Sequence, residues 1–124
     1  PQVEGGGITN LSDYAKLLQV HLNGGYCGET QVLTEASLAS MRQDRGSLTF
    51  NPTPYGMGWW ISSEEPGIYT DAGAFGATSF LDLNTGIGGF IAIDDYSQNA
   101  AGQGSAILRT ALPLIQEAVR ARYE

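Results

Sequence analysis

Apolar residues recur at helical spacing in three stretches, two in the first half of the chain and one at its end. The first stretch follows Ser12, a capping residue, and stops at an Asn-Gly-Gly run, so we predict a helix over residues 12–22. The second stretch follows Thr34, also a capping residue, and predicts a helix over residues 35–42. The third opens at Ser105 and contains Pro113. Because proline inside a helix costs roughly 3 kcal/mol, we predict a kink or two helical pieces there.

The region from residue 68 to residue 95 is instead β-prone and is divided by two turn signals. In chain order we predict a strand ending at residues 69–70, a turn over 72–76, a strand over 77–83, a turn over 84–86 and a strand over 88–94. Asn and Gly between two β-prone runs supply the positive-φ positions that a hairpin turn requires. The pattern therefore predicts an antiparallel meander with a well-defined register.

An aromatic run over residues 55–61 precedes the meander and predicts a further strand. Its glycines indicate that another backbone or a ligand approaches closely. We expect Trp59 and Trp60 to pack, one on each face of the sheet. Residues 43–54 and 96–104 are polar and turn-rich, which predicts loops. The order helix, helix, strand, meander, helix predicts the α+β class, with an antiparallel sheet flanked by helices.

Composition and charge narrow the classes of function. The chain has 124 residues, 42% of them hydrophobic and 15% charged, which fits one globular domain at most. The net charge is −7 and the six basic residues are scattered, so we expect no nucleic-acid partner. No apolar run approaches the roughly 20 residues that span a bilayer, and PQVEGGGITN has neither a charged leader nor an apolar signal core. We expect no membrane span.

Three features contain residue types that often have a chemical role, but each has a simpler structural interpretation. His21 is the only histidine and falls on the last turn of the first predicted helix, where we expect a structural role. Cys27 is the only cysteine, so no internal disulfide can form and the compartment is not indicated. Asp94-Asp95 closes a strand; adjacent carboxylates point to opposite faces, which predicts a solvated strand end rather than a metal site. We expect no cofactor.

Four pieces of sequence resemble a known family in their order and spacing. They are GGGITNLSDYAKLLQVHLNGG, VLTEASLASM, YGMGWW and TDAGAFGATSFLDLNTGIGGFIAI. Together they resemble the C-terminal part of serine β-lactamase-like proteins, the group that includes class C β-lactamases, penicillin-binding D-amino-acid peptidases and related esterases. The resemblance covers nearly the whole chain. It implies a β-lactamase/transpeptidase-like fold and hydrolysis of a small-molecule ester or amide through an acyl-enzyme.

The resemblance also implies a site. Such enzymes use S-x-x-K, which carries the nucleophilic serine and its lysine, a Tyr-x-Asn or Ser-x-Asn element, and a third motif of the K-x-G or H-x-G type on a strand. The third motif would fall on Asp71-Ala72-Gly73. The N–H of Ala74 would then be an oxyanion-hole donor, and Gly73 would allow close approach of the substrate. Loss of one such donor typically costs about 3 to 4 kcal/mol.

The chain departs from the family pattern in two of these motifs. Its only lysine is Lys16, and Asp13 stands three residues before it, so S-x-x-K is absent. No tyrosine is followed two residues later by Asn or Ser. We therefore expect residues 1–124 to form a single fragment, the C-terminal part of a β-lactamase-like domain. Its main partner would be the N-terminal remainder of the same protein, and the fragment alone would be inactive.

The third motif is itself altered, because Asp71 stands where the resemblance implies Lys or His. Two unit charges about 4 Å apart interact by roughly 4 kcal/mol at an effective dielectric constant near 20, so an anionic substrate should bind poorly beside Asp71. Three explanations remain open: a degenerate site, a substrate that is neutral or cationic at that end, or an Asp71 displaced by a different turn. An alternative function is a binding-only pseudo-enzyme of the same fold.

Two further expectations concern apolar side chains. Phe75, Tyr55 and Trp59 could line an acyl pocket, but aromatic residues on a sheet are more often core residues, and we expect that here. A self-sufficient binding domain is the weakest hypothesis, because the helices and the sheet would leave apolar faces uncovered. We expect the isolated chain to expose hydrophobic surface or to form an intertwined oligomer.

Overall fold

The computed structural model describes residues 7–46 and 53–123. In chain order the elements are α1 (Leu11–Leu22), β1 (Tyr26–Cys27), β2 (Thr30–Gln31), α2 (Glu35–Met41), β3 (Trp60–Ile61), β4 (Ile68–Ala72), β5 (Gly76–Asp82), β6 (Ile87–Asp94) and α3 (Gln103–Tyr123). The predicted α+β class is confirmed. Half of the predicted loop over residues 43–54, namely residues 47–52, lies outside the described residues.

Four strands form one antiparallel sheet in the order β3-β4-β5-β6, so the predicted meander is confirmed. Asp71 on β4 pairs with Ser79 on β5, and Ser79 pairs in turn with Phe90 on β6. The strand bounds differ from the predicted ones by one or two residues, because β4 continues to Ala72 and β5 already begins at Gly76. Asp71 therefore lies within a strand.

A tight turn over residues 73–76 joins β4 to β5. The N–H of Gly76 donates to the carbonyl oxygen of Gly73 at 3.1 Å, and the N–H of Gly73 donates to that of Ala77 at 2.8 Å. Gly76 has φ +96°, and a Cβ atom there would lie 2.7 Å from Cγ2 of Ile93. Only glycine fits this position without strain, because the backbone is left-handed and the space is filled.

The two long helices cover opposite faces of the sheet. On one face, Leu18 of α1 packs in a buried cluster with Trp59 and Leu81. On the other face, Gln116 of α3 donates a hydrogen bond from Nε2 to Oδ2 of Asp82 at 3.1 Å. The core is therefore split into two layers by the sheet, with β5 buried between the helices.

The first two helices agree with the predictions, with one change of cap. Thr34 caps α2, as expected from its position before Glu35. At α1, however, the cap is Asn10, whose side chain accepts a hydrogen bond from the N–H of Asp13 at 2.9 Å. Ser12 is thus the second residue of the helix, because asparagine two positions earlier satisfies the free N–H group first.

The predicted strand over residues 55–61 is wrong over most of its length. Only Trp60–Ile61 is a strand, and Tyr55 is joined to Trp60 by an isolated bridge. Between them the chain turns at Gly58, which has φ +81°. The glycines therefore mark a reversal of the chain rather than a strand. Trp59 is buried, while Trp60 packs on the ring of Tyr55 with a centroid distance of 4.5 Å.

The predicted division of the third helix into two pieces at Pro113 is wrong. Helix α3 runs without interruption over 21 residues and begins at Gln103, two residues before Ser105. Pro113 and Arg109 are both exposed, so the carbonyl group that loses its helical donor lies toward solvent, where water can satisfy it. Burial of Leu108 before Pro113 and of Gln116 after it stabilises the helix on both sides of the proline.

Apolar surface remains exposed on several elements. Leu11, Leu17, Ile107 and Leu114 are each about half exposed or more. An open groove of about 330 Å³ lies between α1 and β6, with Phe90 on one wall. Among the described residues, β6 pairs only with β5, so its other edge is open along eight residues. This surface agrees with the expectation of uncovered apolar faces.

Candidate functional site

Strand β4 places the Asp71 side chain on the α1 face of the sheet. Side chains alternate along a strand, so Asp71 shares this face with Tyr69 and with its cross-strand partner Ser79. The hydroxyl group of Tyr14 on α1 donates to Oγ of Ser79 at 3.1 Å, which fixes the helix over this part of the sheet. Asp71 is half-buried and lies one residue before the end of β4, beside the turn over residues 73–76.

Ala72 follows at an open edge of the sheet. The N–H of Leu83 donates to the carbonyl oxygen of Gly67, and the N–H of Gly73 donates to that of Ala77. In residues 67–73, the odd-numbered residues therefore form their backbone hydrogen bonds with β5. The even-numbered residues face β3, but β3 reaches only as far as Thr70, which pairs with Trp60. Among the described residues, the backbone N–H and C=O of Ala72 therefore have no strand partner, and an extended ligand could pair with them.

Gly73 and Ala74 complete the segment that the sequence predicted as a site. Ala74 is exposed and occupies the second position of the turn that the Gly76 to Gly73 hydrogen bond closes. Within residues 7–46 and 53–123, its N–H donates to no backbone carbonyl. The three predicted residues are thus contiguous at one end of the sheet, with an uncommitted N–H at the tip of the turn.

The carboxyl group of Asp71 differs from that of Asp82 on the opposite face of the sheet. No hydrogen bond or ion pair joins it to a described residue, and burial raises the pKa of Asp71 above its ordinary value. In contrast, Asp82 accepts hydrogen bonds from Thr85 and from Gln116. Those bonds outweigh the effect of burial and hold the pKa of Asp82 below its usual range.

One contact beside the site was missed in the sequence. The ring of Tyr14 stacks on Phe90 with a centroid distance of 4.3 Å, while its hydroxyl group reaches Ser79. In the sequence, Tyr14 lies at one of the apolar positions of the first predicted helix, which gives no signal for a hydroxyl contact. A hydroxyl partner could have been sought on the face of β5, since Ser79 lies at an inward position of a strand that is otherwise apolar there.

A second cluster surrounds His21 behind the site. His21 is 4% exposed and packs edge-on against Trp59 at a centroid distance of 5.2 Å. The guanidinium group of Arg42 donates to the carbonyl oxygen of His21 and lies over the ring of Tyr69. Burial, and then the charge of Arg42, lower the pKa of His21. The histidine thus packs in the interior, as predicted for a structural residue.

The three aromatic residues expected in the core have different positions. Trp59 is in the core, and Tyr55 is half-buried against Trp60. Phe75, however, is 53% exposed, so its prediction as a core residue is wrong. It lies in the turn over residues 73–76, where neither helix covers it, and its ring contacts that of Tyr96 at a centroid distance of 4.8 Å.

Hydrogen bonds to Asp95 connect the end of β6 to the loop that follows and to the start of α3. Asp94 is exposed, and Asp95 accepts hydrogen bonds from Ser97 and from Nε2 of Gln103 at the start of α3. Ser97-Gln98-Asn99 matches Ser-x-Asn in letters, but it follows the sheet instead of preceding it. Across the described parts of the chain, no three His, Cys, Asp or Glu side chains cluster as metal ligands.

Comparison with known proteins supports the fold. The chain is similar to a crystal structure described as a "putative beta-lactamase" from Bacteroides dorei DSM 17855, with a TM-score of 0.70 and 22% sequence identity. The match covers 93% of this chain and 42% of that protein, so this chain spans less than half of its length. No protein-family model and no curated protein sequence matches the chain.

The chain therefore has a β-lactamase-like fold. At this level of identity the similarity defines the fold and leaves the class of enzyme open. In the portion that the structure describes, no helix is both long and apolar enough to cross a bilayer.

Proposed function

We propose that this chain is the C-terminal part of a β-lactamase-like serine hydrolase that cleaves an ester or amide through an acyl-enzyme. The observation that carries the proposal is the arrangement of Asp71, Gly73 and Ala74 at the open end of the sheet in a β-lactamase-like fold. The chain would supply one wall of the site and one oxyanion donor. Class C β-lactamase, D-amino-acid peptidase and esterase activities are the candidate chemistries.

Ala74 is the donor in this proposal. A tetrahedral intermediate carries a negative oxygen that preorganised N–H groups stabilise, and the exposed N–H of Ala74 has no backbone acceptor among the described residues. The hydrogen bonds of Gly73 and Gly76 fix the turn, so the N–H is oriented before a substrate arrives. Pairing of the substrate with the free edge at Ala72 would hold its carbonyl group near the turn.

The nucleophile would come from a preceding part of a longer protein. S-x-x-K is absent from this sequence, and the similar solved structure is more than twice as long as the matched region. The remainder would cover the open edge of β6 and the apolar groove beside Phe90. Burial of this surface would make the two parts one stable unit.

A reconstitution experiment tests the proposal. The chain is mixed with a separately purified preceding region that contains S-x-x-K, and hydrolysis of p-nitrophenyl esters is measured together with the intact mass of each part. We expect no hydrolysis by the chain alone, and hydrolysis with an acyl adduct on the preceding region when both are present. Hydrolysis by the isolated chain at a rate that depends on Asp71 would contradict the proposal.

The alternative function is binding without catalysis. It is favoured by Asp71, which stands in the third motif where the resemblance implies Lys or His. In a pseudo-enzyme the same cleft would hold a ligand, and the preceding region would lack S-x-x-K. Sequencing of the region upstream of residue 1 separates the two functions, because an intact motif supports the enzyme and a replaced motif supports the binder.

A further inference from the structure

Asp71 is a half-buried carboxyl group with no hydrogen-bond or ion-pair partner among residues 7–46 and 53–123. Lys16, the only lysine, pairs with Asp13 at 2.7 Å, and the guanidinium group of Arg42 is bound to a backbone carbonyl and lies over Tyr69. The hydroxyl group of Tyr14 donates a hydrogen bond to Oγ of Ser79. In the part of the chain that the structure describes, none of these three groups bonds to Asp71, although Nε of Arg42 is buried without a hydrogen-bond partner.

A carboxyl group in this position is costly for the folded chain. Burial removes water from the charged form, which is why the pKa of Asp71 is raised, and no hydrogen bond compensates. Asp71 is not among the fully buried side-chain groups that lack a hydrogen-bond partner, so its carboxylate remains within reach of a ligand. Asp71 also lies beside the free backbone edge of Ala72, where a ligand would bind. Both observations indicate a partner that is not part of the described chain.

We propose that Asp71 selects a substrate with a cationic amine next to the scissile carbonyl and discriminates against one with a carboxylate there. This inference rests on the proposed function for the position of the carbonyl group. An ammonium group would form a charge-assisted hydrogen bond with Asp71, while a second carboxylate would meet an uncompensated charge of the same sign. The substrate class is therefore that of amino-acid or aminoacyl esters and amides with a free amine.

Binding is tested first on the 124-residue chain with three small amides of similar size. Glycinamide carries an ammonium group, propionamide is neutral and malonamate carries a carboxylate. Chemical shifts of the Asp71 carboxyl carbon and the Ala74 amide are followed by NMR during titration. We expect glycinamide to shift both signals at a concentration at least tenfold lower than malonamate does, with propionamide between them.

Variants make the test specific for Asp71. Asp71→Asn should reduce the difference between glycinamide and malonamate to less than threefold, and Asp71→Lys should reverse it. Asp94→Asn is the matched control, since it removes one exposed negative charge from the end of β6. It should leave the preference unchanged. Equal responses to the three amides, no response to any of them, or a preference that survives in Asp71→Asn would overturn the inference.

Catalysis separates this inference from the proposed function. In the longer polypeptide, kcat/KM is compared for glycyl and succinyl p-nitrophenyl esters, and we expect a preference of at least tenfold for the glycyl ester that is lost in Asp71→Asn. If neither ester is hydrolysed but the ammonium preference persists in the NMR titration, the proposed function fails and the selectivity of Asp71 stands. If the esters are hydrolysed without a charge preference, the proposed function stands and the inference about Asp71 fails.

Discussion

Nε2 of Gln116 lies 3.1 Å from Oδ2 of Asp82, and this buried hydrogen bond ties helix α3 to the central strand β5. Asp82 is fully buried, and its other acceptor positions are filled by the N–H groups of Asn84 and Thr85 and by the Thr85 hydroxyl. One carboxylate thus joins a helix, a strand and the turn before β6. It is a structural group, on the opposite face of the sheet from Asp71.

Replacement of Asp82 should destabilise the fold and change its acid sensitivity. In Asp82→Asn, an NH₂ group replaces an oxygen that accepts hydrogen bonds from Gln116 and from Thr85. The NH₂ group cannot accept, so both of these donors lose their acceptor. We expect a loss of about 2 kcal/mol in the free energy of unfolding at pH 7, measured by urea denaturation.

The pH dependence of that loss has a definite sign. The folded-state pKa of Asp82 is lowered, so its stabilisation is present above the unfolded pKa near 3.8 and disappears as pH falls through the folded value. The difference between the wild type and Asp82→Asn should therefore shrink below about pH 4. A difference that stays constant from pH 7 to pH 2.5 would show that Asp82 is not ionised in the folded chain.

His21 should contribute in a different pH range. Burial and Arg42 lower its pKa below 6.5, so the unfolded chain takes up a proton first as pH falls. Stability should be complete above pH 6.5 and decrease toward pH 5. In His21→Phe, which keeps a ring beside Trp59, this decrease should be absent. The same slope between pH 7 and pH 5 in both proteins would contradict a buried neutral imidazole.

Tyr14 offers a test of the contact beside the site. Tyr14→Phe removes the hydrogen bond to Ser79 but keeps the stack on Phe90, and we expect a loss of about 1 kcal/mol in unfolding free energy. Tyr14→Ala also removes the stack and should cost about 3 kcal/mol. Equal losses in the two variants, measured by chemical denaturation, would mean that the ring contributes nothing.

Two turn glycines form a matched pair. Gly76 and Gly86 both have positive φ, but a Cβ atom at Gly76 would meet Ile93 at 2.7 Å, whereas the space at Gly86 is open. Gly86→Ala should cost about 1 kcal/mol, from backbone strain alone, and Gly76→Ala more than 2 kcal/mol. Thermal unfolding of both variants measures the difference. Similar losses would show that the turn before β5 can relax.

The sequence predicted the elements whose signals are local. Asn and Gly placed the turn between β5 and β6, and Thr34 placed the start of α2, because these residues satisfy a turn or a helix end by themselves. It failed where tertiary packing decides. Pro113 is accommodated in α3 because residues on both sides of it are buried. Before Trp59 the chain reverses its direction at Gly58, which has a positive φ.

The placement of Asp71, Gly73 and Ala74 at a strand end and turn follows from the sequence, but the surroundings of these residues do not. Its residues were found through the order of short motifs, which the chain keeps. The missing partner of Asp71 depends on which donors surround it in space, and the free edge of Ala72 depends on where β3 ends opposite Thr70. Neither property has a signal in a single sequence, because both arise from pairing between distant segments.

The most direct test of the account is the acylation rate of the longer polypeptide that the proposed function requires, with and without the N–H of Ala74. Ala74→Pro removes only this donor, and proline suits the second position of a turn, so the fold should persist. Phe75→Ala, which keeps every N–H, is the control. The account predicts that single-turnover acylation by a p-nitrophenyl ester falls about 100- to 1,000-fold in Ala74→Pro and stays near the wild-type rate in Phe75→Ala. Equal acylation rates in the wild type and Ala74→Pro would contradict the assignment of an oxyanion donor to this chain.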